Sequence, residues 1–210
     1  MKPRYYYEPT EAIAHLRGSD PILDAAIERV GKFELELKPI RTLFEALLRS
    51  IVYQQLHGAA ARAIHGRVEA VLKRQGGVRA EVLLVVPEAE LRGAGLSAGK
   101  LLAARALAEK CREGVVPSLR EAHKLTDEEL LLRLTQVRGI GPWTVHMLMI
   151  FYLGRPDVLP TGDFSIRQAF KRLYRKRRDP TPAAIILHAK RWRPYRSVAS
   201  WYLWRSLDLE

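Results

Sequence analysis

The stretch VRGIGPWTVHML, residues 137–148, decides the fold because it joins two amphipathic helical segments through a very short glycine turn. Gly139 and Gly141 can take positive φ and leave their backbone amides uncovered. Pro142 suits the first turn of a helix, where no amide donor is required. The pattern predicts a helix–hairpin–helix over about 127–153, whose exposed amides would bind a phosphate. A plain helix corner with a glycine cap is the alternative that the turn alone leaves open.

The charge of the chain favours a polyanionic partner. Its 35 Lys and Arg residues against 23 Asp and Glu residues give a formal net charge of +12, and the pI is about 10.1. The run KRLYRKRR (171–178) holds six cations in eight residues, and KRWRPYR (190–196) sets four cations among aromatic rings. Nucleic acid is the most common partner of such a protein.

Several classes of protein are excluded by composition. No apolar run reaches the roughly 18 residues that a membrane span needs, and the N-terminus shows no export signal. Cys111 is the single cysteine, so neither an internal disulfide nor an iron–sulfur cluster on four cysteines can form. The six histidines show no convincing metal-ligand spacing. We therefore expect a cytoplasmic protein, associated with the nucleoid if the source is prokaryotic.

Apolar periodicity predicts an all-α protein. Residues 41–56 and 59–74 carry apolar side chains at helical spacing, and Thr126 with Glu129 forms a capping box. Only FELELK (33–38) alternates as a strand would. The pattern predicts roughly eight to ten helices, with no internal repeat and no flexible linker.

A carboxylate follows the predicted hairpin within RPDVLPTGDFSIRQAFKRLY, residues 155–174. Asp163 falls at or next to the N-cap of a basic helix that begins near Phe164, and helix capping alone would explain an aspartate there. The same helix N-terminus favours the carboxylate anion, which could stabilise a sugar oxocarbenium ion or deprotonate an attacking water. Asp157 is the rival carboxylate, and we rank it lower because it lies in a loop beside proline.

The combination of GIGPWT (139–144) with the downstream RPDVLPTGD (155–163) resembles the HhH-GPD superfamily of helix–hairpin–helix DNA glycosylases. The most similar type is 3-methyladenine DNA glycosylase II, the AlkA type. The segments FEALLRSIVYQQLHGAAARAI and GLSAGKLLAARALA are also similar to that family, so the resemblance covers roughly residues 40 to 206.

The resemblance implies a two-lobed helical fold with an active-site cleft between the lobes. One lobe would be the central segment 42–152, which contains the hairpin. The other would combine residues 1–41 with 153–210 and carry the catalytic aspartate. No separate N-terminal α/β domain is expected, because the segment that precedes the helices is short.

The activity implied by the resemblance is hydrolysis of the N-glycosidic bond of an alkylated base flipped out of double-stranded DNA. Asp163 matches the catalytic carboxylate, while Gly139, Gly141 and Thr144 match the phosphate contacts of the hairpin. The backbone carbonyls of Thr135, Val137 and Gly139 match a site that can hold a structural Na⁺ or K⁺. No cofactor is required, no membrane is involved, and a monomer is expected.

Trp143 distinguishes this chain from family members that also cleave the DNA backbone, because those members carry a lysine at the corresponding position. An indole cannot attack the sugar but can stack on an electron-poor alkylated base; burial in the core is the alternative. Trp204 matches a position against the aspartate and the flipped base. Met147 stands where an aromatic can occur, which would soften the pocket. Gln55, or else Gln54, matches the wedge that fills the gap left by the flipped nucleotide.

Two other functions stay open at this point. A bifunctional glycosylase and AP lyase of the same fold could use Lys100, Lys171 or Lys190, although none of them occupies the hairpin position. A non-catalytic DNA-binding module could use the hairpin for phosphates alone, and the net charge of +12 would suit it equally well.

Overall fold

The computed structural model describes residues 5–209, and within that range it contains helices and no β-strand, so the predicted all-α class is confirmed. Two 3-10 turns lie at Ala189–Trp192 and Leu207–Leu209. In chain order the helices are α1 (Pro9–Ser19), α2 (Pro21–Val30), α3 (Leu43–Tyr53), α4 (Gly58–Arg74), α5 (Ala80–Val85), α6 (Glu88–Gly93), α7 (Ala98–Arg112), α8 (Leu119–Ala122), α9 (Asp127–Leu134), α10 (Pro142–Phe151), α11 (Phe164–Leu173), α12 (Pro182–His188) and α13 (Arg196–Ser206).

The thirteen α-helices of residues 5–209 exceed the eight to ten predicted, because helices of four to six residues, such as α5, α6 and α8, are too short to show a clear apolar period. Residues 33–38 do not form the strand that their alternation suggested. Leu35 is buried while Glu34 and Glu36 are exposed, so these side chains alternate between the core and solvent as they would in a strand. It has no strand to pair with in the described chain, and the Lys38 N–H donates instead to the Phe151 carbonyl at 2.8 Å.

The chain divides into two compact units, one formed by residues 40–145 and one by the described residues of 1–39 and 146–210. The boundaries predicted from the sequence lay at 42 and 152. The structure changes unit at residue 145, within α10, so residues 146–152 group with the N- and C-terminal segments.

The unit of residues 40–145 is built around α7, which packs against α3 and α5. Ser97 caps α7 by accepting a hydrogen bond from the Lys100 N–H. Fully burying one leucine or isoleucine contributes about 1.5–3 kcal/mol, so side chains of this kind hold the unit together. Those with no exposed surface include Leu47, Ile51, Leu72, Leu83, Leu107 and Leu134.

The second unit is centred on α13, which packs against α1, α2 and α11. Its core includes Leu16, Ile27, Phe170 and Val198, all of them buried. None of the helices in the described chain is both long and apolar enough to cross a membrane.

Asp20 connects α2 with the end of α11, with α12 and with the 3-10 turn at Ala189–Trp192, and it was not predicted from the sequence. It is 1 % exposed and caps α2, where its Oδ1 accepts from the N–H groups of Ile22 and Leu23. Its Oδ2 is contacted by three side chains: the Tyr174 hydroxyl at 2.7 Å, His188 Nε2 at 2.8 Å and Trp192 Nε1 at 2.9 Å. Burial opposes ionisation, but the hydrogen bonds outweigh it and lower the pKa of Asp20.

Replacing Asp20 by Asn should lower the free energy of unfolding by about 3–5 kcal/mol, since an amide NH₂ would face donors in a buried site. Urea denaturation measures the change. The matched control is Asp24→Asn, which removes a half-exposed ion pair with Arg17 and should cost less than about 1 kcal/mol. Equal losses in the two variants would contradict the assignment.

The pH dependence has a defined sign. The pKa of Asp20 is lowered in the folded state, so its contribution is present above the ordinary value of 3.8 and is lost as pH falls through the lowered value. The stability gap between the wild type and Asp20→Asn should therefore shrink only in that acid range.

Candidate active site

The hairpin between α9 and α10 is a seven-residue turn closed by a hydrogen bond from the Ile140 N–H to the Val137 carbonyl at 3.0 Å. The first helix, α9, ends at Leu134, because residues 135–137 already belong to the turn. The Thr126 and Glu129 capping box at the start of that helix is present as predicted.

The two glycines of the hairpin have different reasons to be glycine. Gly139 has φ +81°, and a Cβ there would lie 3.1 Å from the Cβ of Ala103 on α7, so backbone conformation and packing both require glycine. Gly141 does not take positive φ, which corrects that part of the prediction. A Cβ on Gly141 would meet nothing within 4 Å, so its backbone faces open space.

The predicted phosphate site lies at the first turn of α10. The first amides of an α-helix have no earlier turn to supply acceptors. Gly139 and Gly141 are exposed, whereas Thr144 is only 4 % exposed and is the least accessible of the three predicted contacts. The exposed amide end of α10 makes the stretch suited to binding an anion.

Gln54 ties the end of α3 to the hairpin. Its Nε2 donates to the Gly139 carbonyl at 2.8 Å, across 85 positions of sequence. The neighbouring Gln55 is exposed and has φ +56°, a conformation that non-glycine residues rarely adopt. The two glutamines that were alternatives for the wedge thus have distinct environments: Gln54 supports the turn, and Gln55 projects from it.

The same contact bears on the predicted cation site. The Gly139 carbonyl faces the amide NH₂ of Gln54, and the Val137 carbonyl accepts the Ile140 N–H. An oxygen that already faces a donor dipole is a weaker cation ligand. Each carbonyl oxygen keeps a second lone pair, so the set of Thr135, Val137 and Gly139 stays a prediction as a site for a monovalent cation.

Asp163 is the N-cap of α11, as predicted. Its Oδ1 accepts from the Ile166 N–H at 2.9 Å and also from Trp204 Nε1 at 3.1 Å. Capping accounts for the first bond. It does not account for the second, in which an indole from α13, 41 positions away, donates to the same oxygen. The two donors fix the plane of a partly exposed carboxylate.

Trp204 is itself held by aromatic packing. Its ring stacks on Phe151 at a centroid distance of 5.6 Å and an interplanar angle of 27°, and the Lys38 ammonium lies 5.4 Å from the Phe151 ring. The orientation of Asp163 thus depends on Trp204, whose ring is fixed by its stacking on Phe151.

Asp157, the rival carboxylate, has a structural environment. Arg196 grips it with Nε at 2.6 Å from Oδ1 and Nη2 at 2.9 Å from Oδ2, and Arg193 lies 3.7 Å away. A carboxylate engaged in a bidentate pair is a poor general base. The lower rank given to Asp157 agrees with this geometry.

Two aromatic residues that are close in sequence to the predicted site residues are exposed. Trp143 is 48 % exposed, so it is not the core tryptophan that the alternative interpretation required. Met147, on the same helix, is partly buried. Phe164, the residue after Asp163, is 67 % exposed and was missed in the sequence, where it could have been noticed as an apolar residue at the first position of a basic helix.

Two of the candidate lysine nucleophiles are engaged. Lys100 donates to the Val52 carbonyl at 2.6 Å, and burial lowers its pKa. Lys171 pairs with Asp179 at 2.7 Å. Lys190 is exposed, on a 3-10 turn remote in sequence from the hairpin. None of the three lies on the hairpin or next to Asp163 in the chain.

A glycine hairpin suited to an anion and a braced N-cap carboxylate are each features expected of a protein that performs chemistry on a nucleic acid. Residues 48–194 match the HhH-GPD superfamily of base excision DNA repair proteins, and the chain belongs to that superfamily. The family predicted from GIGPWT and the downstream aspartate is thereby confirmed.

Individual relatives agree with this assignment. The chain is 36 % identical over 205 residues to DNA-3-methyladenine glycosylase 1 of Schizosaccharomyces pombe, covering 95 % of this chain and 88 % of that protein. The solved structure of the S. pombe 3-methyladenine DNA glycosylase in complex with abasic DNA is similar with a TM-score of 0.77, over 92 % of this chain and 95 % of the other. A DNA-3-methyladenine glycosidase from Bacillus halodurans, 35 % identical, gives 0.83 over 97 % and 91 %.

The two glutamines should respond oppositely to substitution. Gln54→Ala removes the bond to the Gly139 carbonyl and should lower the free energy of unfolding by about 1 kcal/mol. Gln55→Gly relieves a left-handed backbone and should raise it by about 0.5–1 kcal/mol. Urea unfolding of both variants measures this. A Gln55→Gly variant less stable than Gln54→Ala would show that the described conformations are wrong.

Proposed function

We propose that this protein is a monofunctional DNA glycosylase of base excision repair, which hydrolyses the N-glycosidic bond of alkylated bases such as 3-methyladenine and 7-methylguanine. The observation that carries the proposal is the Asp163 carboxylate, held at the start of α11 by the Ile166 N–H and the Trp204 indole. The names of the S. pombe and B. halodurans relatives support the substrate class.

Duplex DNA is the substrate that the charge and the hairpin support. A net charge of +12 attracts a polyanion over distance, and the amide end of α10 offers donors to one phosphate. The S. pombe relative was solved with abasic DNA, the product of base removal. We propose that the protein acts as a monomer on chromosomal DNA.

The reaction needs little more than a correctly placed carboxylate. An alkylated purine carries positive charge, so when the bond from sugar C1′ to the base nitrogen breaks, the electron pair leaves with the base and neutralises it. The sugar becomes an oxocarbenium ion, which the Asp163 carboxylate stabilises electrostatically. A water molecule then bonds to C1′ and gives a proton to the carboxylate or to solvent. The products are a free base and an abasic site.

The extruded base needs surfaces that replace its stacking in the duplex. Trp143, with 48 % of its surface exposed, offers a ring for an electron-poor purine, and Trp204 and Phe164 offer aromatic surface beside Asp163. Met147 contributes a flexible apolar side chain. Gln55 enters the duplex gap, since flipping leaves a few kcal/mol of lost stacking to offset.

Hydrolysis without strand cleavage follows from the absence of an amine at the hairpin. A lyase step needs a lysine that attacks C1′ and forms a Schiff base. Trp143 has no such nucleophile, and Lys100 and Lys171 donate to the Val52 carbonyl and to Asp179. A non-catalytic DNA-binding function is disfavoured, because helix capping does not explain the hydrogen bond from Trp204 Nε1 to Asp163 Oδ1.

Asp163→Asn tests the catalytic assignment with little change to the fold, because asparagine is an equally good N-cap and its oxygen can still accept from Ile166 and Trp204. Release of 3-methyladenine or 7-methylguanine from methylated duplex should fall by at least about 10²-fold, to background, because the negative charge is lost. Binding to an abasic duplex should persist. Base release at the wild-type rate would exclude Asp163 as the catalytic carboxylate.

The matched control is Asp157→Asn. Asp157 lies six positions before Asp163, and the substitution removes the carboxylate that forms a bidentate pair with Arg196. It should lower the free energy of unfolding by about 1–3 kcal/mol. Base release per folded molecule should stay within about twofold of the wild type, because Asp157 has no part in the chemistry. A loss equal to that of Asp163→Asn would favour the rival carboxylate.

A further inference from the structure

A turn of four consecutive cations follows α11. Arg175, Lys176, Arg177 and Arg178, here called the basic turn, are all exposed. Within residues 5–209, none of the four forms an ion pair with a carboxylate at 4 Å or less. Four like charges in adjacent positions repel one another, and an anionic partner would relieve that repulsion.

The basic turn is held in a defined place. The Arg175 N–H donates to the Arg172 carbonyl at 3.1 Å, and the Lys176 N–H donates to the Lys171 carbonyl at 2.9 Å, which closes the end of α11. Lys171 also pairs with Asp179 just beyond the turn, at 2.7 Å. The cations therefore stand on an ordered backbone.

Arg175 adopts φ +49°, where glycine is the residue usually found after a helix. Among the described residues only Gln55 and Arg175 are non-glycine residues with positive φ. Gln55 is the proposed wedge. Unfavourable backbone conformations concentrate at functional positions, and an arginine kept in one points to a use for its side chain.

Stabilisation of the helix does not account for the basic turn. Cations near a helix C-terminus interact favourably with its dipole, but that effect falls off within the last turn. Lys171 and Arg172 already occupy the last turn of α11. The four residues of the basic turn lie beyond it and add mutual repulsion.

The position of the turn relative to Asp163 follows from α11 itself. The helix has ten residues, so its axis is about 15 Å long, with Asp163 at one end and the basic turn just past the other. Base pairs of duplex DNA are spaced about 3.4 Å apart, so this length, with the turn just beyond it, spans about four to five base pairs. If α11 is laid along a duplex, the cations fall over phosphates that flank the nucleotide at Asp163.

We propose that α11 lies along the duplex and that the basic turn binds the phosphate backbone flanking the damaged nucleotide, about five base pairs from it. This rests on the proposed function, since it takes the substrate of Asp163 to be duplex DNA. The contact anchors the protein on DNA beyond the lesion and makes affinity depend on duplex length.

Binding to two duplexes of different length tests the proposal. Each carries a central abasic-site analogue, and they have about 9 and about 25 base pairs, so that only the longer one reaches the basic turn. The variant replaces all four cations by glutamine (Arg175→Gln, Lys176→Gln, Arg177→Gln and Arg178→Gln). On the longer duplex, the variant should bind at least about tenfold more weakly than the wild type. The magnitude of its slope of log K against log salt should be smaller by about 2–4, at about 0.9 per phosphate contact. On the shorter duplex the two proteins should differ by less than about threefold.

A control with the same loss of charge separates this contact from general attraction. It replaces four exposed arginines of the unit 40–145, Arg79, Arg92, Arg112 and Arg120, by glutamine. Its affinity should fall equally on both duplexes and by less than that of the basic-turn variant on the longer one. The proposal is overturned if the control variant loses as much affinity for the longer duplex as the basic-turn variant does. It is also overturned if the basic-turn variant loses affinity equally for both duplexes, or for neither.

Arg175→Gly gives an independent measurement. Removing a left-handed arginine should raise Tm by about 1–3 °C while weakening binding to the longer duplex about threefold to tenfold. A stabilised variant with unchanged affinity would exclude Arg175 from the contact. Base release from methylated short duplex is measured in parallel: if the wild type releases none, the proposed function fails, while the length dependence of binding still decides the role of the basic turn.

Discussion

The two hydrogen bonds to Asp163 Oδ1 are the interaction on which the proposed function depends. One comes from the first turn of α11 and the other from Trp204 on α13, so a local cap and a tertiary contact meet at one oxygen. Most aspartates at this position serve the helix alone. Here the Trp204 indole of α13 stacks on Phe151, and the Lys38 ammonium lies over the Phe151 ring. This packing fixes the indole and thereby the orientation of the Asp163 carboxylate.

The hairpin is constrained in a comparable way. Gly139 lies so close to α7 that a side chain would meet Ala103, and its carbonyl faces Gln54 at the end of α3. Three segments that are distant in sequence thus define a turn of seven residues. A turn held in this way would present amides to the proposed phosphate without rearrangement, which avoids an ordering cost on binding. Gln55 follows Gln54 directly, so the same segment supports the hairpin and positions the proposed wedge.

Features that depend on near neighbours in the chain could be predicted from the sequence. The Thr126 capping box, the Ser97 and Asp163 caps and the all-α class all arise from patterns within four residues. Contacts between distant residues could not: Gln54 meets Gly139 across 85 positions, and Asp20 meets Trp192 across 172. The conformations of Gly141 and Arg175 depend on how each turn closes, which composition does not reveal.

The central claim is that one carboxylate hydrolyses the glycosidic bond and no amine attacks the sugar. The most direct test incubates the full chain with a methylated duplex in the presence of borohydride. Mass spectrometry then identifies both the free base and the DNA strand. The account predicts free methylated purine, an intact strand that carries an abasic site, and no covalent protein–DNA adduct. A trapped adduct with a cleaved strand, or no released base from DNA that the protein binds, would contradict it.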